Sequence, residues 1–234
     1  MLRKLVIFII VLAIAVPVLF YYFQYFSKAA SVKANIIVDV NKTSGPFPDR
    51  WKALAQGGEE AGVRMLENVV SKVSGLYPKY IRLDHIYDFY DVVTRDPSNN
   101  LKFDFSKLDQ TVCDIYHTGA KPFFSLGYMP PTMSEDGSLI GKPKNWNEWT
   151  FLVQKTVEHY SGRDTVLPCG AMENFWKTDI YYEVWNEPDL ESFGKWKYTG
   201  AKSYSDLYFY SVKGAQQAQN ILTYKIGGPV TTAL

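Results

Sequence analysis

Two residues side by side carry the chemistry that this sequence suggests most strongly. Asn186 and Glu187 follow the apolar run "IYYEVW" and precede Pro188. Tyr181, Tyr182, Val184 and Trp185 favour a β-strand, and a proline cannot continue a central strand. The run therefore predicts a buried strand that delivers an amide and a carboxyl group to its carboxyl end. A carboxyl set among aromatic walls is partly desolvated and suited to holding a proton for delivery. A neutral amide both donates and accepts, which suits a sugar hydroxyl beside a reacting carbon. An acid plus a hydroxyl clamp makes half of a retaining glycosidase site. The other half is a second carboxylate about 5–5.5 Å away, acting as nucleophile.

Period-2 alternation puts Tyr181, Glu183, Trp185 and Glu187 on one face of that strand and Tyr182, Val184 and Asn186 on the other. Asn186 joins Glu187 only if the backbone leaves strand geometry, a departure favoured beside active sites. Pro188 is expected to hold Glu187 extended. Glu183 reads as a structural inward residue. Trp185 and Tyr128 read equally as cleft lining or as core. Arg82 and Asp84 read as a pair, and His85 stands beside them.

The elements that must position these groups alternate regularly. Strands are expected in "WKALAQGG", "PKYIRLDH", "KPFFSLGYMPP", the run before Asn186, and "YKIGGPV". Helices are expected around Val63–Val73, over 104–118, over 145–160 and over 203–220, each with an apolar stripe at helical spacing. Such alternation implies right-handed βαβ units and a parallel sheet. Gln56, Arg82, Asp84, His85, Tyr128, Asn186 and Glu187 all fall at carboxyl ends of strands, where both a doubly wound sheet and a barrel place their chemistry. "AQGGEEAG" lacks the G-x-G-x-x-G spacing of a dinucleotide binder, so the expectation is a (β/α)8 TIM barrel. Eight units take roughly 250 residues, and the expectation is a barrel truncated after its fifth strand, spanning 44–234.

The amino terminus reads separately. A basic flank (1–4) precedes an uncharged run from Leu5 to Phe23, long enough for a transmembrane helix, here taken as 5–25, with tyrosines at its end. A linker (26–43) follows. A membrane anchor with an extracytoplasmic catalytic domain is the expectation; a cleaved signal peptide, hence a secreted domain, is the alternative. Net charge is +1, so nothing favours nucleic acid as a partner. The three histidines are far apart, and no metal-ligand spacing or cofactor loop occurs. Cys113 and Cys169 are free to pair in an exported domain, though the sequence leaves this open.

"YEVWNEPDL" resembles the acid/base motif of clan A glycoside hydrolases. With "SGPFPDRW", "IRLDHIYDFY", "FFSLGYMP" and "KIGGPV", the chain from 44 to 234 resembles family 39, the group of β-xylosidases and α-L-iduronidases. That resemblance implies Glu187 as general acid/base, Asn186 on the substrate 2-hydroxyl, His85 lining the sugar subsite, and Arg82 beneath a nucleophile on a seventh strand. It implies a carbohydrate substrate and no cofactor. Ser125 departs from the glutamate often found there in the family. A catalytically inactive carbohydrate-binding barrel and an endo-acting glucanase are the competing readings.

Overall fold

A computed structural model describes Lys4 and residues 12, 13, 15–19, 37–39, 41, 42, 45, 52–55, 60, 63–171 and 180–232. The chain divides into two compact units, Met1–Phe47 and Pro48–Leu234. In the first, Leu12, Ala13 and residues 15–19 are helical. The expected span 5–25 lies largely outside the described residues, as does Gln56. Among the described residues no helix is long and apolar enough to cross a membrane.

The second unit contains β1 (Ala53–Ala55), α1 (Val70–Ser74), β2 (Tyr80–Leu83), β3 (Val93–Arg95), β4 (Leu101–Phe103), α2 (Ser106–His117), β5 (Lys121–Leu126), α3 (Trp146–Ser161), β6 (Val166–Leu167), β7 (Gly170–Ala171), β8 (Ile180–Val184), α4 (Tyr204–Gln217) and β9 (Tyr224–Gly227). The five strands β1-β2-β5-β8-β9 lie in that order, all parallel. Their order never reverses, whereas a doubly wound sheet reverses at its switch point. The progression is that of a (β/α) barrel wall.

Alternation divides the sheet into two faces. Ile81, Leu83, Phe124, Leu126, Ile180, Tyr182 and Val184 point to the helices and are buried. They meet Leu108, Val112 and Ile115 of α2, Trp149, Leu152, Val153 and Val157 of α3, and Leu207 of α4. A fully buried large apolar side chain contributes about 1.5–3 kcal/mol. Helices α3 and α4 approach closely because residue 214 is glycine: a Cβ there would lie 2.3 Å from the Thr150 carbonyl oxygen. The opposite face carries Tyr80, Arg82, Phe123, Ser125, Tyr181 and Glu183. Near its base Tyr181 stacks on Phe123, ring centres 5.5 Å apart.

Helix ends follow local chemistry. Asn145 caps α3 by accepting from the Asn147 N–H, and Ser203 caps α4 by accepting from the Asp206 N–H. The helix expected around Val63–Val73 is only the five residues of α1. Val63, Val69, Val70 and Val73 are β-branched and resist helix, and Val69 offers no side-chain cap. Arg64 instead grips Asp114 of α2 through two hydrogen bonds of 2.6 Å. Cys113 and Cys169 form a disulfide across 56 residues of chain, fastening α2 to the turn between β6 and β7.

Candidate active site

The site begins where β8 stops. The Val184 carbonyl accepts the Tyr204 hydroxyl at 2.8 Å, so α4 caps the strand end. Gly228 leaves room for that tyrosine; a Cβ at 228 would stand 2.8 Å from its hydroxyl. Beyond Val184 the backbone turns left-handed, with φ of +68° at Trp185 and +39° at Glu187. Such values are uncommon for non-glycine residues and cluster at functional sites. The extended Glu187 expected before Pro188 is thus corrected. The loop from 187 to 196 closes on itself through Leu190 N–H to Glu187 O (3.0 Å) and Trp196 N–H to Pro188 O (2.7 Å), and those bonds override the preference imposed by Pro188.

The turn breaks the alternation, and Asn186 swings to the inward side. Its Oδ1 accepts from Arg82 Nη2 at 2.9 Å, and its Nδ2 donates to the Tyr128 hydroxyl at 3.0 Å. The amide orientation is fixed from both ends, yet one N–H and one lone pair remain for a ligand. Glu187 is half-buried. Its carboxyl accepts no hydrogen bond from any described side chain, and it is close enough to Glu183 for their charges to interact.

Arg82, on β2, organises the floor. Its Nε donates to Glu183 Oε2 at 2.6 Å, and Nη1 lies 3.9 Å from Asp84. The expected Arg82–Asp84 pair exists, but Glu183 and Asn186 are the closer partners. Glu183 is 2% exposed, and its Oε1, like Asp84 Oδ1 and Ser125 Oγ, has no hydrogen-bond partner. Burial raises the Glu183 pKa above the ordinary carboxylate value, and the Arg82 guanidinium only partly opposes this. Arg82 is held above its ordinary value: burial lowers it, and the Glu183 carboxylate more than compensates.

Tyr128 is buried, its hydroxyl between Asn186 and Asp84 Oδ2, the latter at 3.5 Å. Burial, with Asp84 close by, raises its pKa. It therefore positions Asn186 from below. Of the two readings of Trp185, sugar-lining or core, its full burial favours core. Its Nε1 donates to the Phe193 carbonyl at 2.8 Å, and its ring packs edge-on against Tyr128 and Trp196. The left-handed turn points the indole into the layer under the helices. His85 is half-exposed at the rim, with φ of +52°. It stacks on Phe89 with ring centres 4.0 Å apart and meets the edge of Tyr128.

One residue was missed from sequence. Asp88 Oδ2 lies 2.7 Å from His85 Nδ1, and its Oδ1 accepts the Tyr128 backbone N–H at 3.1 Å. The i, i+3 spacing of His85 and Asp88 in "DHIYDF" was the available signal. Among the described residues no cluster of His, Cys, Asp and Glu could hold a metal ion.

The family model for glycosyl hydrolases family 39 matches residues 34–234. A β-xylosidase from Caldicellulosiruptor saccharolyticus is 27% identical over 65% of this chain and 30% of its own length. One from Geobacillus stearothermophilus is 25% identical over 54% of this chain and 24% of its own. Among solved structures, a family 39 β-xylosidase from Caulobacter crescentus is 26% identical, with a TM-score of 0.58 over 81% of this chain and 42% of that one. The chain thus spans less than half the length of each of these relatives.

Proposed function

This chain belongs to glycosyl hydrolases family 39, and on that footing we propose that it forms part of a retaining glycosidase acting on xylose-like O-glycosides, with Glu187 as general acid/base. The observation that carries the reading is the rim geometry beyond β8. Glu187 is accessible and unclaimed by other side chains, while its neighbour Asn186 is clamped by Arg82 and Tyr128. In the first step Glu187 donates its proton to the leaving oxygen as the anomeric bond breaks. In the second it takes a proton from the attacking water. Asn186 holds the hydroxyl next to the reacting carbon.

The nucleophile is the second carboxylate such a site requires. Among the described residues Glu183 and Asp84 are the acidic groups that pair with Arg82 on this floor, and both are buried. We assign the nucleophile to the part of the family barrel that these residues do not span. The β-xylosidase names of the relatives support the choice of sugar. Following the products of an aryl β-xyloside by proton NMR tests the reading, using protein with a complete barrel. The β-anomer of xylose should appear first. An initial α-anomer would replace retention by inversion, and absence of hydrolysis would favour the inactive carbohydrate-binding reading.

The proposal extends to placement. The uncharged run from Leu5 to Phe23 supports an N-terminal membrane anchor with the barrel outside the cytoplasm, and the Cys113–Cys169 disulfide suits such an oxidising compartment. Alkaline carbonate washing of membranes should leave the protein in the pellet. Release into the supernatant would contradict an integral anchor.

A further inference from the structure

We propose that Trp185 is a positioning residue for the proton donor: with Lys202, its indole clasps the loop 187–196 shut and so sets the direction of the Glu187 carboxyl. The proposal rests on the glycosidase reading above. No described side chain donates a hydrogen bond to that carboxyl, so its aim depends on the backbone that carries it. Trp185 and Glu187 both hold a positive φ, +68° and +39°. Residues with side chains keep such values only where their surroundings over-determine them. Part of the restraint is local, from the Leu190 N–H to the Glu187 carbonyl (3.0 Å) and from the Trp196 N–H to the Pro188 carbonyl (2.7 Å). Those bonds hold the start of the loop only while its far end stays in place.

The far end presents two successive carbonyls, and a side chain holds each. Trp185 Nε1 donates to the Phe193 carbonyl at 2.8 Å, and Lys202 Nζ donates to the Gly194 carbonyl. The indole is a fixed post, fully buried and edge-on to Tyr128 and Trp196. The Phe193 ring lies nearly parallel to Tyr128 with centres 5.8 Å apart, and the Tyr128 hydroxyl accepts from Asn186. Fixing Phe193 therefore steadies both the acid and its amide neighbour. Trp185 reaches past the acid to hold the closing turn of the loop, and its burial keeps it off the substrate. A displacement of about 1 Å at such a carboxyl can cost about 10²-fold in rate. That loss falls on the step that needs the proton.

Trp185→Phe keeps an aromatic ring and removes the donor. In protein with a complete barrel, its kcat/KM on an alkyl β-xyloside should fall about 10–100-fold, through kcat rather than KM. On a dinitrophenyl β-xyloside it should stay within about two-fold of wild type, because that leaving group departs without a proton. Lys202 is half-buried, and Lys202→Met removes the second tether while keeping the apolar stem. It should give the same graded loss at smaller size, and it decides the question if Trp185→Phe does not fold. Adding Trp185→Phe to Glu187→Gln should cause little further loss on the alkyl xyloside, since both act on one proton transfer. A residue that only stabilised the fold would lower activity on every substrate alike, and its effect would add to that of Glu187→Gln. A folded variant at either position whose loss is equal across leaving groups, or absent, overturns the positioning role and leaves the glycosidase reading standing. A wild type inactive on every glycoside overturns that reading, and the positioning role with it.

Discussion

Adjacent residues of β5 sit in opposite worlds. Phe124 points to the helices, fully buried against Tyr160 and Tyr182. Ser125 points inward, equally buried, with a hydroxyl that has no partner. The same contrast holds along β8, where Tyr182 bonds Ser161 at 2.8 Å while the neighbouring Glu183 leaves one oxygen unpaired. The outer face is packed with apolar and aromatic side chains and its Tyr182 hydroxyl is paired, although Thr111 Oγ1 in the helix layer beyond it has no partner. The inner face carries desolvated charge and unsatisfied groups close to the rim. Stability is concentrated on one side of the sheet and chemistry on the other.

That contrast can be broken by substitution. Phe124→Ala should cost about 3–5 kcal/mol in urea unfolding, through lost burial plus the cavity left behind. A loss below 1 kcal/mol would mean that the outer layer is not the main source of stability. Reducing the Cys113–Cys169 bridge, which closes a separation of 56 residues, should cost about 4 kcal/mol by the loop-closure relation. An unchanged midpoint under reductant would show that α2 is held without it.

The inner face should respond differently. Glu183 has a folded-state pKa above the ordinary 4.5, so the folded state holds more protons than the unfolded one across that window. Stability should therefore fall as pH rises from about 4.5 towards the folded-state value. Glu183→Gln should flatten that slope while keeping an acceptor for Arg82. A wild type whose stability rises through the same range would reverse the assignment. Ser125→Ala should be the mildest change, within about 0.5 kcal/mol or slightly stabilising, since its hydroxyl makes no bond to lose.

Much of this was legible in the sequence. Apolar runs located all five sheet strands, and the helices expected from 145 and 203 begin there, at α3 and α4. The valine-rich segment before α1 misled because its apolar spacing is helical while its β-branched residues are not helix formers. The hairpins β3–β4 and β6–β7 went unread, being two or three residues per strand. At the site, Glu187 and Asn186 announced themselves through their neighbours. Trp185 did not, because its burial follows from a left-handed turn that no period reveals. Asp88 escaped for a related reason. Its importance lies in reaching from the β2 loop to the β5 loop, a contact spanning 40 residues.

The central claim is that Glu187 gives and takes the proton. It is tested most directly by Glu187→Gln in protein with a complete barrel, assayed on glycosides of graded leaving group. The account predicts a loss of about 10²–10⁴ in kcat/KM where the leaving group needs protonation. It predicts little loss in the first step on activated aryl xylosides, and restored turnover when azide replaces the water that Glu187 would activate. Equal activity of variant and wild type on an alkyl xyloside or xylobiose would contradict it.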